Sequence, residues 1–310
     1  MINIKLNPLW SKTVLVITFC FLLLLSSYVL IDPQGSAKNL LSIYNFFAIN
    51  FESLFLYFGF GVLVFLVLIA LSKSGSKKIV LEGRSDYSYF SWYSMLFATG
   101  MGAALLYWST YEWLVYYTNP IEGEEQSLLK ARSYPLFHWM FTGWALYILP
   151  TVAFVFSLMK NSNTPLTFSG ILLKKQSGPI RIILDIFFIG AILTGAGVGL
   201  ALSFPLMSAA ISKLFNLNQT IYLDFLMLLI CMCIVSISVY RGLQNGIKKL
   251  SNFNIILVIT FLTLILVTGP TKYIVINTLE PVTYVLKNYL SLSLFKSQYS
   301  LDWTVFYWAW

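Results

Sequence analysis

The stretch Phe137-His138-Trp139, followed by Trp144 and Tyr147, concentrates aromatic rings in a pattern suited to binding a cation. On a continuous α-helix Trp144 lies roughly 140° and Tyr147 roughly 80° around the axis from Trp139, so one broad aromatic face is available. The π faces of Trp and Tyr attract cations by up to about 2 kcal/mol or more when desolvated, and aromatic cages are the usual solution for quaternary ammonium groups. A trimethylammonium head donates no hydrogen bond, so ring faces suit it better than Asp or Glu. The competing use of Trp and Tyr is the interfacial belt. Trp139, near the predicted outer end of its span, fits a belt; Trp144 and Tyr147 are two to three turns deep in the span and favour a cavity.

A second candidate is Ala98-Thr99-Gly100-Met101-Gly102-Ala103-Ala104. Two readings are open. Glycine near mid-membrane weakens the helix, and unwound backbone is tolerated there where it lines a protein-enclosed cavity, as in secondary transporters. Alternatively Gly100 and Gly102 permit close helix packing. For Gly195-Ala196-Gly197-Val198-Gly199 packing is the better reading.

Ionisable groups inside spans are functional suspects. Glu112, His138, Asp185 and Asp224 qualify, although His138 reads best as a helix-end histidine with a hydrogen-bond partner. No His, Cys or carboxylate cluster has metal-ligand spacing, and no Gly-rich phosphate loop with a following Lys is present. The three cysteines, Cys20, Cys231 and Cys233, lie in apolar runs without a disulfide or zinc pattern. The sequence therefore argues against an enzyme.

The elements that must position these residues are set by composition. Of 310 residues, 58% are hydrophobic and 10% charged, against about 25% charged in soluble domains, which excludes a water-soluble globular protein. Apolar runs near the 20 residues that span about 30 Å of hydrocarbon recur along the chain. The expected spans are 13–31, 51–72, 90–118, 135–159, 182–212, 219–240 and 253–270, with the start of an eighth at 303–310. The fold class is thus all-α, a polytopic membrane helix bundle. The first two spans are apolar apart from Glu52, as expected of helices that face lipid or pack loosely. Tyr273 to Phe295 reads as an amphipathic helix at the outer interface.

The formal charge of +8 is dispersed over loops and reads as a topology signal rather than a nucleic-acid patch. Lys5, Lys12, Lys73, Lys77, Lys78, Arg84, Lys160, Lys174, Lys175, Arg181, Arg241, Lys248 and Lys249 fall on one side, thirteen of the twenty basic residues. The N-terminus is therefore expected in the cytoplasm.

Four stretches in order carry a family resemblance: Phe97-Ala98-Thr99-Gly100-Met101-Gly102; Phe137-His138-Trp139 with Trp144 and Tyr147; Gly242 through Asn252 (GLQNGIKKLSN); and Trp303 through Trp310 (WTVFYWAW). From about residue 75 onward the chain resembles the betaine/choline/carnitine transporter family. The resemblance implies a fold of twelve spans, in which spans three to seven form one five-helix repeat and eight to twelve its inverted copy. On that pattern residues 1–89 hold two peripheral spans and a cytoplasmic loop, 90–271 the first repeat, 272–302 the interfacial helix and loop, and 303–310 the truncated eighth span.

It further implies symport or exchange of a quaternary ammonium compound such as glycine betaine, choline or carnitine across the inner membrane. Trp139, Trp144 and Tyr147 look like the aromatic box, and Gly100, Met101 and Gly102 like the unwound stretch beside it. Tyr111 resembles the aromatic position of the carnitine-exchanger branch, and Trp308 and Trp310 belong to the tryptophan-rich run of the eighth helix. Sodium is a possible coupling ion, near Ala98, Met101 and Thr194, with sodium-free exchange the alternative; no other cofactor is expected. Expected partners are the substrate and the lipid bilayer, with a homotrimer implied by resemblance.

Two departures qualify the pattern. Ala103 and Ala104 follow the glycines where the family continues Gly-Met-Gly-Ile-Gly, and the chain ends at Trp310, within the eighth helix. One repeat cannot provide alternating access, so the chain is expected to be the N-terminal portion of a transporter, with little or no transport on its own. The alternatives are a symporter of the same architecture for another small amine or amino acid, and a non-transporting remnant or interaction module.

Overall fold

A computed structural model describes residues 8–77, 87–100, 103–120, 125–160, 167–173, 178–297 and 299–309. Among these the regular structure is entirely helical. The α-helices are α1 (Pro8–Ile31), α2 (Pro33–Leu71), α3 (Tyr89–Gly100), α4 (Ala103–Thr118), α5 (Leu128–Trp139), α6 (Phe141–Lys160), α7 (Phe168–Leu172), α8 (Pro179–Phe215), α9 (Ile221–Tyr240), α10 (Lys248–Thr268), α11 (Thr271–Leu294) and α12 (Val305–Ala309). Single π-helical turns, Leu243–Ile247 and Ser300–Thr304, lead into α10 and α12.

Six helical stretches of the described residues are long and apolar enough to cross a membrane: Lys12–Ile31, Pro33–Leu71, Leu128–Ser157, Pro179–Phe215, Ile221–Tyr240 and Leu243–Thr268. The expected third span, 90–118, is present as α3 and α4, and Met101 and Gly102 between them lie outside the described residues. The expected amphipathic segment is the continuous helix α11.

Two differences from the sequence reading bear on the site. The helix that carries the second span starts well before residue 51, because Asp32 caps α2 by accepting from Gly35 N at 2.9 Å and Pro33 fills the first turn. The fourth span is not one helix: α5 ends at Trp139 and α6 begins at Phe141, with Met140 in a bend. The break is tightly packed, since a Cβ placed on Gly143 would sit 2.6 Å from the His138 carbonyl oxygen.

The chain forms two compact units, which divide α5, α8 and α11 between them. In the first (residues 1–79, 138–196 and 289–310) α2 is central, with α1, α6, α12 and the turn Ser300–Thr304 packed on it. Its buried face runs Ala48, Glu52, Leu56, Gly59, Val62, at helical spacing. A span expected to face lipid or pack loosely thus leaves most of its surface exposed but buries one face in the core of this unit. The short helix α7 is pinned to the start of α8: Asp185 accepts from Ser169 N at 2.8 Å and from Ser169 Oγ, and Arg181 Nε donates to Ser169 Oγ at 2.9 Å. This accounts for Asp185, which is buried with its acceptors used.

In the second unit (residues 80–137 and 197–288) α3 packs along α10, joined by Asn252 Nδ2 donating to Ser91 Oγ at 3.0 Å. Arg132 of α5 donates to Tyr273 Oη at 3.0 Å and to Asn277 Oδ1, which fastens the start of α11. Glu112 is buried on α4 and accepts from Tyr116 Oη at 3.2 Å; the Tyr116 ring stacks on Tyr134 at 5.3 Å. Asp224 accepts from Ser208 Oγ, linking α9 to α8.

Candidate functional site

The first unit gathers aromatic side chains around the break between α5 and α6. On one side of it, Tyr307 of α12 stacks on the His138 imidazole with ring centroids 4.7 Å apart, and meets Trp139 edge to face at 5.5 Å. Trp308 meets His138 edge to face at 5.8 Å, and Trp303 stacks on Tyr307 at 6.5 Å. His138 Nε2 is hydrogen-bonded to Thr304 Oγ1 at 3.0 Å, and both residues are buried. The histidine is the partnered helix-end residue its position in the sequence suggests.

On the other side of the break, Trp144 and Tyr147 share α6. Their ring centroids are 6.3 Å apart with planes tilted by 47°. Trp144 is half-buried, while Tyr147 is 60% exposed. Because Met140 interrupts the helix, the wheel that carried Trp139 continuously onto Trp144 does not apply; Trp139 is placed by its contact with Tyr307 instead. Nearby, Thr142 Oγ1 and Tyr289 Oη are hydrogen-bonded at 2.6 Å. Burial pushes the Tyr289 hydroxyl above the usual tyrosine range despite that bond, so it stays neutral.

Trp308 is buried, at 8% exposure. A Cβ on Gly59 of α2 would lie 3.0 Å from its Cδ1 and Nε1, and 3.1 Å from Thr142 Cγ2. Any larger residue at 59 would press on the indole, which would have to give by a few tenths of an ångström.

A family model described as BCCT, betaine/carnitine/choline family transporter, matches residues 13–310. The chain belongs to this family. Among its curated relatives, a carnitine transporter of Acinetobacter baumannii is 28% identical over 82% of this chain and 48% of its own length. A glycine betaine/proline/choline/ectoine transporter of Vibrio parahaemolyticus is 31% identical over 98% of this chain and 56% of its own. A high-affinity choline transport protein of Escherichia coli is 29% identical over 80% of this chain and 39% of its own. The chain spans about half the length of the curated relatives it matches. Membership in a transporter family, with several helices able to cross a bilayer, makes it a multi-pass membrane protein.

The remaining residues that the BCCT pattern singles out fall on several elements. Gly100 ends α3; Met101, Gly102 and Trp310 lie outside the described residues. Tyr111, on α4 in the second unit, is 46% exposed and its ring lies 6.3 Å from Tyr107 and 6.2 Å from Trp108. Ala98 is half-buried on α3, and Thr194 is exposed on α8. Among the described residues no three His, Cys, Asp or Glu side chains are grouped to hold a metal ion. The second unit has clefts of about 580 Å³ at Pro270–Asn277 and about 450 Å³ at Ala209–Gln219, and neither is lined by a residue singled out from the sequence.

Two residues the sequence reading passed over stand out. Tyr307 is the ring on which His138, Trp139 and Trp303 converge, and only its place in an aromatic run hinted at that. Glu52 was noted only as an exception in an apolar run, and it is 8% exposed in the core of the first unit.

Proposed function

We propose that the full-length protein is a secondary active transporter, by symport or exchange, of a quaternary ammonium compound such as glycine betaine, choline or carnitine. In this reading Trp139, Trp144 and Tyr147 form the cage that receives the methylated head. The observation that carries it, beside family membership, is the pair Trp144 and Tyr147, whose tilted rings leave π surface uncovered one turn apart on α6. A desolvated cation gains most from such surfaces. The resemblance adds Gly100, Met101, Gly102, Tyr111, Trp308 and Trp310 to the proposed site, sodium near Ala98, Met101 and Thr194, and a homotrimer. It also assigns the first five-helix repeat to 90–271 and the protein to the inner membrane, while the distribution of Lys and Arg over the loops puts the N-terminus in the cytoplasm.

The test is uptake of labelled betaine, choline and carnitine by the full-length protein, with Trp144→Ala alongside. Loss of one aromatic wall is expected to weaken apparent affinity about tenfold. Uptake by the variant at the wild-type rate and affinity would remove the cage. A substrate panel that included primary amines would expose a different specificity, because those need oxygen acceptors that α6 offers sparingly.

A further inference from the structure

We propose that Glu52, on an N-terminal helix outside the implied repeat, is a positioning residue for the tryptophan-bearing helix α12. The inference rests on the transport reading above for its functional consequence, and on the following contacts for its geometry. Glu52 Oε1 accepts a hydrogen bond from Ser300 Oγ, and Oε2 lies 3.3 Å from Lys296 Nζ. Ser300 is itself buried and fixed, its Oγ accepting from Ser297 N at 2.7 Å. Ser300 opens the π-helical turn Ser300–Thr304 that leads into α12, and Lys296 lies four residues before that turn.

A second contact on the same face of α2 grips the other end of this segment. Gly59 lies about two turns beyond Glu52, and it is the residue against which the Trp308 indole packs. Between the two grips Thr304 bonds His138, which adjoins Trp139. One rigid face of α2 therefore sets where the turn begins and where Trp308 ends, and Tyr307 between them carries the setting to Trp139. A buried carboxylate is costly unless its acceptors are used, and among the described residues they are used on this one segment, which argues that holding that segment is its role.

The experiment is a set of substitutions in the full-length protein, read as KM against maximal uptake rate at matched membrane abundance. Glu52→Ala is expected to raise KM about tenfold with maximal rate within about twofold, the size of one charge-assisted hydrogen bond to a positioned element. Glu52→Gln keeps an oxygen acceptor for Ser300 and is expected to stay within about threefold of wild type. Ser300→Ala should match Glu52→Ala, and the double variant should be no worse than either. A purely structural carboxylate would lower abundance and leave KM alone.

Unchanged KM in both single variants, or effects that multiply in the double variant, would overturn the proposal. Should Glu52→Ala fail to reach the membrane, Ser300→Ala alone decides by the same criterion. If wild type takes up none of the three compounds, the transport reading fails separately. The grip is then judged in purified protein, where melting-temperature losses of the single variants that add fully in the double would refute it.

Discussion

The two aromatic groups flanking the α5–α6 break use their rings in opposite ways. Around His138 ring faces are spent on one another: Tyr307 covers the imidazole at 4.7 Å, while Trp139 meets Tyr307 only edge to face at 5.5 Å and so stands between the two groups. At Trp144 and Tyr147 the rings touch only at a tilt, 6.3 Å apart, and the phenol is 60% exposed. A ring whose face is already stacked has little left for a cation, whereas an open face has its whole quadrupole to offer. The difference separates rings that hold the site from rings able to touch a ligand.

The comparison can be broken most directly at Trp308. Replacing this buried indole with alanine is expected to destabilise the protein by about 3–5 kcal/mol, as cavity formation does elsewhere, seen as a large fall in melting temperature with substrate binding lost as a consequence. A Trp308→Ala protein that melts like wild type would put Trp308 on the ligand side of the divide.

Gly143 sharpens the geometry of the break itself. A Cβ there meets backbone, the His138 carbonyl oxygen, at 2.6 Å, so Gly143→Ala must shift α6 relative to the end of α5. We expect a loss of about 1–3 kcal/mol, measurable by thermal or denaturant unfolding, together with weaker substrate binding as Trp139 and Trp144 move apart. Full retention of both would show that the break is more pliant than its packing indicates.

At the open end, Tyr147→Ala should change stability by no more than about 0.5 kcal/mol, as surface substitutions do, while weakening substrate affinity several-fold. Binding titration and melting on one preparation separate the two effects. A stability loss comparable to that of Trp308→Ala would erase the contrast between the groups.

Much of this architecture was legible in the amino-acid sequence because bilayer constraints act residue by residue. Apolar runs located helices that can cross a membrane, and the polar, periodic stretch after residue 271 marked α11. That His138 would have a hydrogen-bond partner was legible, since a buried ring nitrogen needs one, but not that the partner is Thr304, 166 residues away. The break at Met140 was not legible: neither Gly nor Pro occupies it, and the close approach of Gly143 to the His138 carbonyl accompanies it without marking the position in the sequence. The early start of α2 was legible in Asp32-Pro33, a cap followed by a first-turn proline, but Gln34, Lys38 and Asn39 disguised it as a loop. The role of Glu52 was out of reach, because Ser300 lies 248 residues away along the chain.

The length of α2 has a mechanical consequence. At about 1.5 Å per residue its 39 residues form a rod of roughly 58 Å, while a bilayer interior is about 30 Å thick. Fitting all of it inside would demand an incline near 60°, beyond the roughly 0–40° that spanning helices adopt. A mast of several turns must therefore stand clear of the acyl chains, and any tug on that protruding end is delivered, through one unbroken helix, to the ledge on which Trp308 rests.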